Sequence, residues 1–458
     1  MAATSMTCSA AIDEAPFSGA QKRIVFLCAL VAMLDGFDTQ AIAFVAPVVA
    51  SQWGIQVAAF GAVFGAGLAG LMVGALVFGP LADRYGRRRI TIITTALFGL
   101  LTLLTAWADS IGMLLALRFL TGLGLGGAMP NIIALTAEYA PARSRATMVS
   151  LMFCGFPLGA VLGGLVASRM IPVLGWESTF LLGGVLPLLL VPVLYIWLPE
   201  SVRFLTMRGV HEQKLRSLMS SIVGEARAKA IIFEKQSSVA AAPSDTVKGL
   251  FGKGRTWRTL LLWVVFFMNL LLLYFLVNWL PSLLRQSGVA LDKAIISTAL
   301  LNLGGIVGAL CFARLIDRFG PYKVLPTAYL AAAIATMVVG QTTGMGFGAL
   351  MSMVFVVGFS VIGAQISINA LAANSYPVEI RSTGVGWALG VGRAGSVVGP
   401  IVGGLLVATG LQLGLLFLIA AIPALLAAVA VIALAAQRGD QGVSNTRASG
   451  NLVEGQAR

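Results

Sequence analysis

Long apolar runs separated by short polar stretches dominate the chain. They lie near 24–46, 58–79, 90–107, 112–137, 146–168 and 178–198, then near 259–281, 294–313, 324–340, 345–373, 383–409 and 411–436. Each is long enough to cross a hydrocarbon core of about 30 Å as a helix. The pattern predicts an all-α polytopic membrane protein with twelve transmembrane helices. One polar segment, Pro199 to Trp257, is much longer than the others and divides the spans into six plus six. The expected organisation is a cytoplasmic N-terminal tail at 1–23, a six-helix bundle at 24–198, a cytoplasmic linker at 199–257, a second six-helix bundle at 258–437 and a cytoplasmic tail at 438–458. Short surface helices are expected around Leu198 to Leu205 and between His211 and Lys235, and a flexible stretch from Ser237 to Ser244.

Composition agrees with the pattern. The chain is 58% hydrophobic and 11% charged, against about 25% charged in soluble proteins. The first 23 residues carry Asp13 and Glu14 and no apolar core, which argues against a cleaved signal. A net charge of +13 raises the question of nucleic acid, but the positions of the charges answer it. Arg84, Arg87, Arg88 and Arg89 lie between spans 2 and 3, Arg143 and Arg145 between 4 and 5, and eleven basic residues between Arg203 and Arg258. The alternate loops hold only Arg169, Arg285 and Lys293. That asymmetry is the positive-inside pattern; it places both termini in the cytoplasm and leaves no nucleic-acid partner to invoke. Cys8, Cys28, Cys154 and Cys311 are scattered and His211 is the lone histidine, so no zinc or iron–sulfur site, and no cofactor, is expected.

The candidate chemistry sits inside the spans. Asp35 and Asp38 interrupt the first apolar run, three residues apart and so on one helical face. A carboxylate at bilayer depth is costly and seldom persists without a task. Two ionised carboxylates this close repel each other, and binding a proton relieves that repulsion, so the pair is expected to load and release protons. Arg118 in span 4 and Arg393 in span 11 also lie within apolar runs; Arg393 is about 18 Å along its helix from Arg381. A guanidinium cannot discharge by losing a proton, so each arginine needs an anion: Asp35, Asp38 or a substrate carboxylate. Gly122-x-Gly124-x-x-Gly127 and Gly390-x-Gly392-x-x-Gly395 match a dinucleotide fingerprint by letter, but neither follows a strand, so both read as packing glycines.

The halves echo each other. Gly79-Pro80-Leu81-Ala82-Asp83-Arg84-Tyr85-Gly86-Arg87-Arg88-Arg89 corresponds to Ala313-Arg314-Leu315-Ile316-Asp317-Arg318-Phe319-Gly320, and Pro141 to Arg145 corresponds to Pro377 to Arg381. Gly61/Gly65, Gly70/Gly74, Gly155/Gly159/Gly163 and Gly395/Gly399/Gly403 recur every four residues, a spacing that permits close helix contact. Together with Pro199-Glu200-Ser201 and Arg118-x-x-x-Gly122-x-Gly124, these motifs resemble the major facilitator superfamily over essentially the whole chain. Within it, Asp35-Gly36-Phe37-Asp38 and Gly390-Val391-Gly392-Arg393-Ala394-Gly395 resemble the aromatic acid:proton symporter family.

The resemblance implies two six-helix pseudo-repeats with a substrate site near mid-membrane. It implies import of benzoate-, hydroxybenzoate- or phenylpropionate-type acids with protons, driven by the proton gradient, with the lipid bilayer as surroundings. Arg118 and Arg393 would then meet the acid's carboxylate, and Gln40, Asn269, Tyr274, Asn278, Gln365 and Asn369 would complete the site with amides and rings. Asp83, with Arg84 and Arg87, would latch onto Arg381 at the start of span 11 as a cytoplasmic gate, with Asp317 and Arg145 as its weaker counterpart. Spans 6 and 12, almost free of polar residues, would face lipid. A carrier of another solute is the alternative, such as an exporter of organic ions or a polyol or sugar symporter. An enzyme or sensor lacks the clustered catalytic residues it would need.

Overall fold

The computed structural model describes residues 8–207, 212–229, 231, 250–252, 255–342, 346–376 and 380–455. His211, the Ser237 to Ser244 stretch and Pro377 lie outside the described residues. Among the described residues, twelve helices are long and apolar enough to cross a membrane: Gly19–Trp53, Val57–Tyr85, Arg87–Thr105, Ile111–Tyr139, Thr147–Leu174, Glu177–Trp197, Thr256–Gln286, Leu291–Phe319, Pro321–Thr342, Phe347–Asn369, Thr383–Ala408 and Leu413–Gln437. These are spans 1 to 12 in order.

Local chemistry moves the edges away from those suggested by hydropathy. Span 1 begins at Gly19, ahead of the apolar run, because Ser18 and Gln21 form a reciprocal capping box that satisfies backbone donors at its start. A further helix, Cys8–Glu14, precedes it and buries Ala11 and Ile12, with Ala15 buried just after its end. The described part of the region expected as an N-terminal tail, from Cys8 on, is therefore largely helical and packed. Asp13 accepts a hydrogen bond from the Ala142 N–H at 2.6 Å, and Arg143 donates to the Ala15 carbonyl at 3.0 Å, which ties this helix to the loop after span 4. Short helices at Val202–Met207, Glu212–Val223 and Glu225–Lys229 follow span 6, and their buried Leu205, Leu215 and Met219 join the same apolar cluster as Ala11 and Ile12. The final helix continues past the last apolar run to Gly455.

The chain forms two compact units. Unit 1 comprises 1–239, 277–299 and 400–408; unit 2 comprises 240–276, 300–399 and 409–458. Spans 7, 8 and 11 thus each contribute one end to unit 1, a partition that the division at 199–257 does not show.

In unit 1, glycines set the spacing of the helices. A Cβ at Gly36 would lie 1.9 Å from the Phe156 carbonyl oxygen, and one at Gly159 would lie 1.8 Å from that of Met33, so spans 1 and 5 touch backbone to backbone. Gly70 and Gly126 do the same between spans 2 and 4, with corresponding distances of 2.0 Å to Phe119 and 2.0 Å to Leu71. Span 1 is thereby enclosed, with 72% of its apolar window buried against 33% for span 6. The ends of spans 7 and 11 close on span 2: Trp279 is fully buried, sits edge-on to Phe64 at 5.3 Å and donates its indole N–H to the Pro400 carbonyl at 2.9 Å.

In unit 2, Gly308 meets Phe359 at 2.1 Å between spans 8 and 10, and Gly395 meets Phe267 at 2.2 Å between spans 11 and 7, measured to the facing carbonyl oxygens from an added Cβ. Spans 6 and 12 carry the expected apolar exteriors. Leu415, Leu418, Ile422, Leu425, Val429 and Ile432 form an exposed stripe of helical spacing suited to lipid.

The glycine contacts predict that Gly159→Val, which adds bulk against the Met33 carbonyl, destabilises the protein by about 1–3 kcal/mol or more. Thermal unfolding in detergent measures it, with Gly19→Val, where a Cβ meets nothing within 4 Å, as the control expected to stay near wild type.

Candidate substrate and proton site

A buried carboxylate of span 1 and the buried arginine of span 4 find each other. Arg118 Nη1 lies 3.2 Å from Asp38 Oδ2 and 3.4 Å from Oδ1. Both side chains are buried, at 4% and 1% exposure. The pair is embedded in hydroxyls: Thr102 donates to Asp38 Oδ1, and Arg118 Nη2 donates to Thr105 at 3.1 Å and Thr121 at 3.3 Å. The guanidinium also lies 5.1 Å from the centre of the Phe180 ring, within cation–π range. Isolated, either charge would cost several kcal/mol at this depth; together, with their hydrogen bonds made, they form a neutral unit.

The sequence offered a signal for the hydroxyls. Span 3 carries Thr91, Thr94, Thr95, Thr102 and Thr105, all buried, and spacings of three, four and seven put threonines on one helical face. That face is turned to spans 1 and 4. Asp35 is equally buried but has a different neighbour, accepting from Thr39 at 3.1 Å one turn along its own helix. The two carboxylates expected to act together are thus held by separate partners.

Asp38, Thr39, Arg118, Thr121 and Asn278 line a cavity, with Ile42, Phe64, Leu68 and Leu125 as its apolar wall. Its volume is about 30 Å³, compared with about 150 Å³ for a cavity that holds benzene. Water-sized molecules fit beside the ion pair in this state; a ring needs the walls to separate. Gln40 is buried in span 1, and Tyr274 is nearly buried in span 7.

Unit 2 holds the other polar candidates. Asn269 on span 7 donates to Gln365 Oε1 on span 10 at 2.5 Å. Arg393 is half-buried on span 11. Asn369 is exposed on the same helix as Gln365, which continues to Ser375.

At the arginine-rich end of unit 1 the structure redistributes the gate residues. Asp83 is the exposed partner of a pair, 75% accessible, 3.7 Å from Arg87 one turn along its own helix. Arg87 is instead held by Glu138, at the end of span 4, in a tight ion pair. Glu138 also accepts from the Ser201 hydroxyl at 2.6 Å. Glu200 accepts from the Arg88 N–H at 2.9 Å, placing its carboxylate at the start of span 3 where the helix dipole favours it. Gly86 permits this approach: its φ is +102°, and a Cβ would stand 2.4 Å from Glu200 Oε2. Tyr139 donates to the Glu200 carbonyl and accepts, at its own carbonyl, from Gln21 at 2.7 Å. Glu138 and Glu200 had no assigned role in the gate expected from the sequence; a lone carboxylate closing span 4 was the available sign. Arg84 lies against the Tyr85 ring, and Arg145 is exposed. In unit 2, Asp317 and Arg381 are exposed, and Arg381 donates to the Tyr376 carbonyl at 3.5 Å.

The Major Facilitator Superfamily profile matches residues 28–392 and 303–453. The chain belongs to the major facilitator superfamily. It is 42% identical to a 4-hydroxybenzoate transporter of Pseudomonas putida over 92% of this chain and 94% of that protein. A gallate transporter of the same species is 40% identical over 92% and 93%, and a 3-(3-hydroxy-phenyl)propionate transporter of Escherichia coli 38% over 84% and 86%. Within the superfamily the chain fits the aromatic acid family. The fold resembles the xylose transporter XylE from E. coli with a TM-score of 0.69 at 19% identity, covering 90% of this chain and 98% of that one. This major facilitator protein is a multi-pass membrane transporter and not an enzyme.

The arrangement at the arginine-rich end separates Asp83 from Glu138. Asp83→Asn removes only an exposed contact and is expected to change stability by less than about 1 kcal/mol. Glu138→Ala leaves Arg87 and Ser201 without their shared partner and should cost about 1–3 kcal/mol. Detergent melting curves of the two variants check the order.

Proposed function

We infer that this transporter is a proton-coupled secondary importer of an aromatic carboxylate, working by alternating access. The observation that carries the reading is the buried Asp38–Arg118 pair on the wall of a cavity. The resting pair is neutral. An aromatic acid arrives as an anion, and adding it to a neutral buried pair would leave one uncompensated negative charge. A proton on Asp38 removes that charge and releases Arg118, whose planar fork suits a carboxylate with two hydrogen bonds. The site then remains neutral loaded and empty, so one solute anion enters with at least one proton. Thr105 and Thr121 hold the guanidinium in place while its anion changes. The cavity has to widen to admit a ring, which the alternating motion of a two-repeat carrier supplies.

The relatives named for 4-hydroxybenzoate, gallate and 3-(3-hydroxy-phenyl)propionate supply the substrate class. The excess of arginine and lysine in alternate loops orients both termini to the cytoplasm in a bacterial inner membrane. The energy source is the proton gradient, and no cofactor takes part. Asp35 serves as a second proton site on the same helix.

Uptake of labelled aromatic acids by cells expressing the protein, with and without an uncoupler, tests the reading; accumulation that the uncoupler leaves untouched would overturn the coupling. Asp38→Asn mimics the protonated state. It is expected to keep acid binding and counterflow exchange while losing accumulation driven by the proton gradient. Arg118→Lys keeps the charge but loses the fork, and acid binding in a thermal-shift titration should weaken about tenfold or more.

A further inference from the structure

Span 3 turns the hydroxyls of Thr102 and Thr105 to the ion pair, and the two are not interchangeable. On this helix Thr91, Thr94 and Thr105 donate to the carbonyls four residues back, those of Arg87, Ile90 and Leu101, each at 2.8 Å. That is an ordinary resting place for a threonine hydroxyl inside a helix. Thr105 has thereby committed its one hydrogen, so only its oxygen lone pairs are left for Arg118 Nη2 at 3.1 Å. Thr102 differs. It reaches away from its own helix and donates to Asp38 Oδ1. Its methyl lies over a glycine of span 6, since a Cβ added at Gly183 would stand 3.2 Å from Thr102 Cγ2. A β-branched side chain with its methyl packed has little freedom at χ1, so the hydroxyl is kept toward span 1.

One turn apart on one face, span 3 thus gives a donor to the acid and an acceptor to the base, all within unit 1. A hydrogen bond to a carboxylate is charge-assisted and favours the ionised acid over the protonated one. Arg118 on span 4 acts on Asp38 in the same sense, Asp35 lies one turn back on the same helix, and spans 2 and 7 add Phe64, Leu68 and Asn278 to the cavity beside the pair. On the reading above, however, Arg118 is lent to the substrate while Asp38 carries the proton. Once the acid has left, that proton has to pass from the Asp38 carboxyl to water entering the cavity before the pair can form again. We propose that Thr102 is a positioning residue for the coupling proton: it receives the Asp38 carboxylate as the proton leaves, and so resets the empty carrier. Its donor is independent of the anion that Arg118 holds. The assignment rests on the proton-coupled reading of the same site.

The informative readout is a ratio. Accumulation driven by the proton gradient needs Asp38 to lose its proton in every cycle, whereas counterflow exchange of labelled for unlabelled acid does not. Initial rates of both, measured with 4-hydroxybenzoate in one preparation of cells expressing the full chain, cancel the expression level. Thr102→Val keeps the shape and the methyl but removes the donor. Its ratio of accumulation to exchange should fall about tenfold, the weight of one hydrogen bond to a charged group. Thr102→Ser returns the donor and should recover most of the ratio. Thr105→Val removes an acceptor that serves Arg118 in both modes, so it should slow both together and leave the ratio within about twofold of the wild type. Thr102→Ala gives the same reading if the valine variant fails to reach the membrane. A ratio unchanged in the valine or alanine variant, or a serine variant no better than valine, overturns the proposal. A wild type that exchanges the acid but does not accumulate it with the proton gradient overturns the proton-coupled reading itself, and the Thr102 assignment falls with it.

Discussion

A charge that cannot be discharged, buried away from bulk solvent, governs unit 1. Arg118 keeps its proton at any pH the membrane meets, and burial at 3% exposure denies it solvent. Its neighbours are therefore dictated: an anion from span 1, hydroxyls from spans 3 and 4, and the face of the Phe180 ring from span 6. Four helices converge on one guanidinium. Removing the anion without replacing it would leave a bare buried cation.

Bringing four helices to one side chain requires close approach, and the glycines supply it. Gly36 lies between the two aspartates of span 1 and touches the span 5 backbone at Phe156. With one side of span 1 held this closely, Asp38 reaches toward spans 3 and 4. The glycine contact between spans 2 and 4 likewise positions the helix that carries Arg118. Packing by small residues suits a membrane interior, where lipid tails are as apolar as leucine and burial alone gives helices little reason to associate. Such contacts also allow helices to separate without exposing large apolar knobs.

The arginine-rich end follows a different logic. Water is near, so exposed pairs such as Asp83–Arg87 contribute little. Partly buried groups hold the loops instead: Glu138 gathers Arg87 and Ser201, and Glu200 closes the start of span 3. These contacts join the ends of spans 2, 3, 4 and 6, and the helix Cys8–Glu14 is fastened to the neighbouring loop through Asp13 and Arg143. The segments that read as tail and linker by composition are thus partly built into unit 1.

Hydropathy alone determined the twelve spans and the apolar character of spans 6 and 12, because each depends only on the local run of side chains. The sequence also pointed to Asp35, Asp38 and Arg118, since ionisable groups in apolar runs stand out wherever they lie. Partnership was decided by tertiary structure. Asp38 and Arg118 are 80 residues apart, and which of two aspartates on one face receives the arginine depends on how far span 1 is rotated against span 4, a quantity set by glycine contacts and not by periodicity. The same reason set Glu138 beside Arg87, made Thr102 and Thr105 of span 3 partners of the ion pair, and brought Asn269 to Gln365 across two helices. Composition shows which groups must be satisfied inside a membrane; only the packed helices choose what satisfies them.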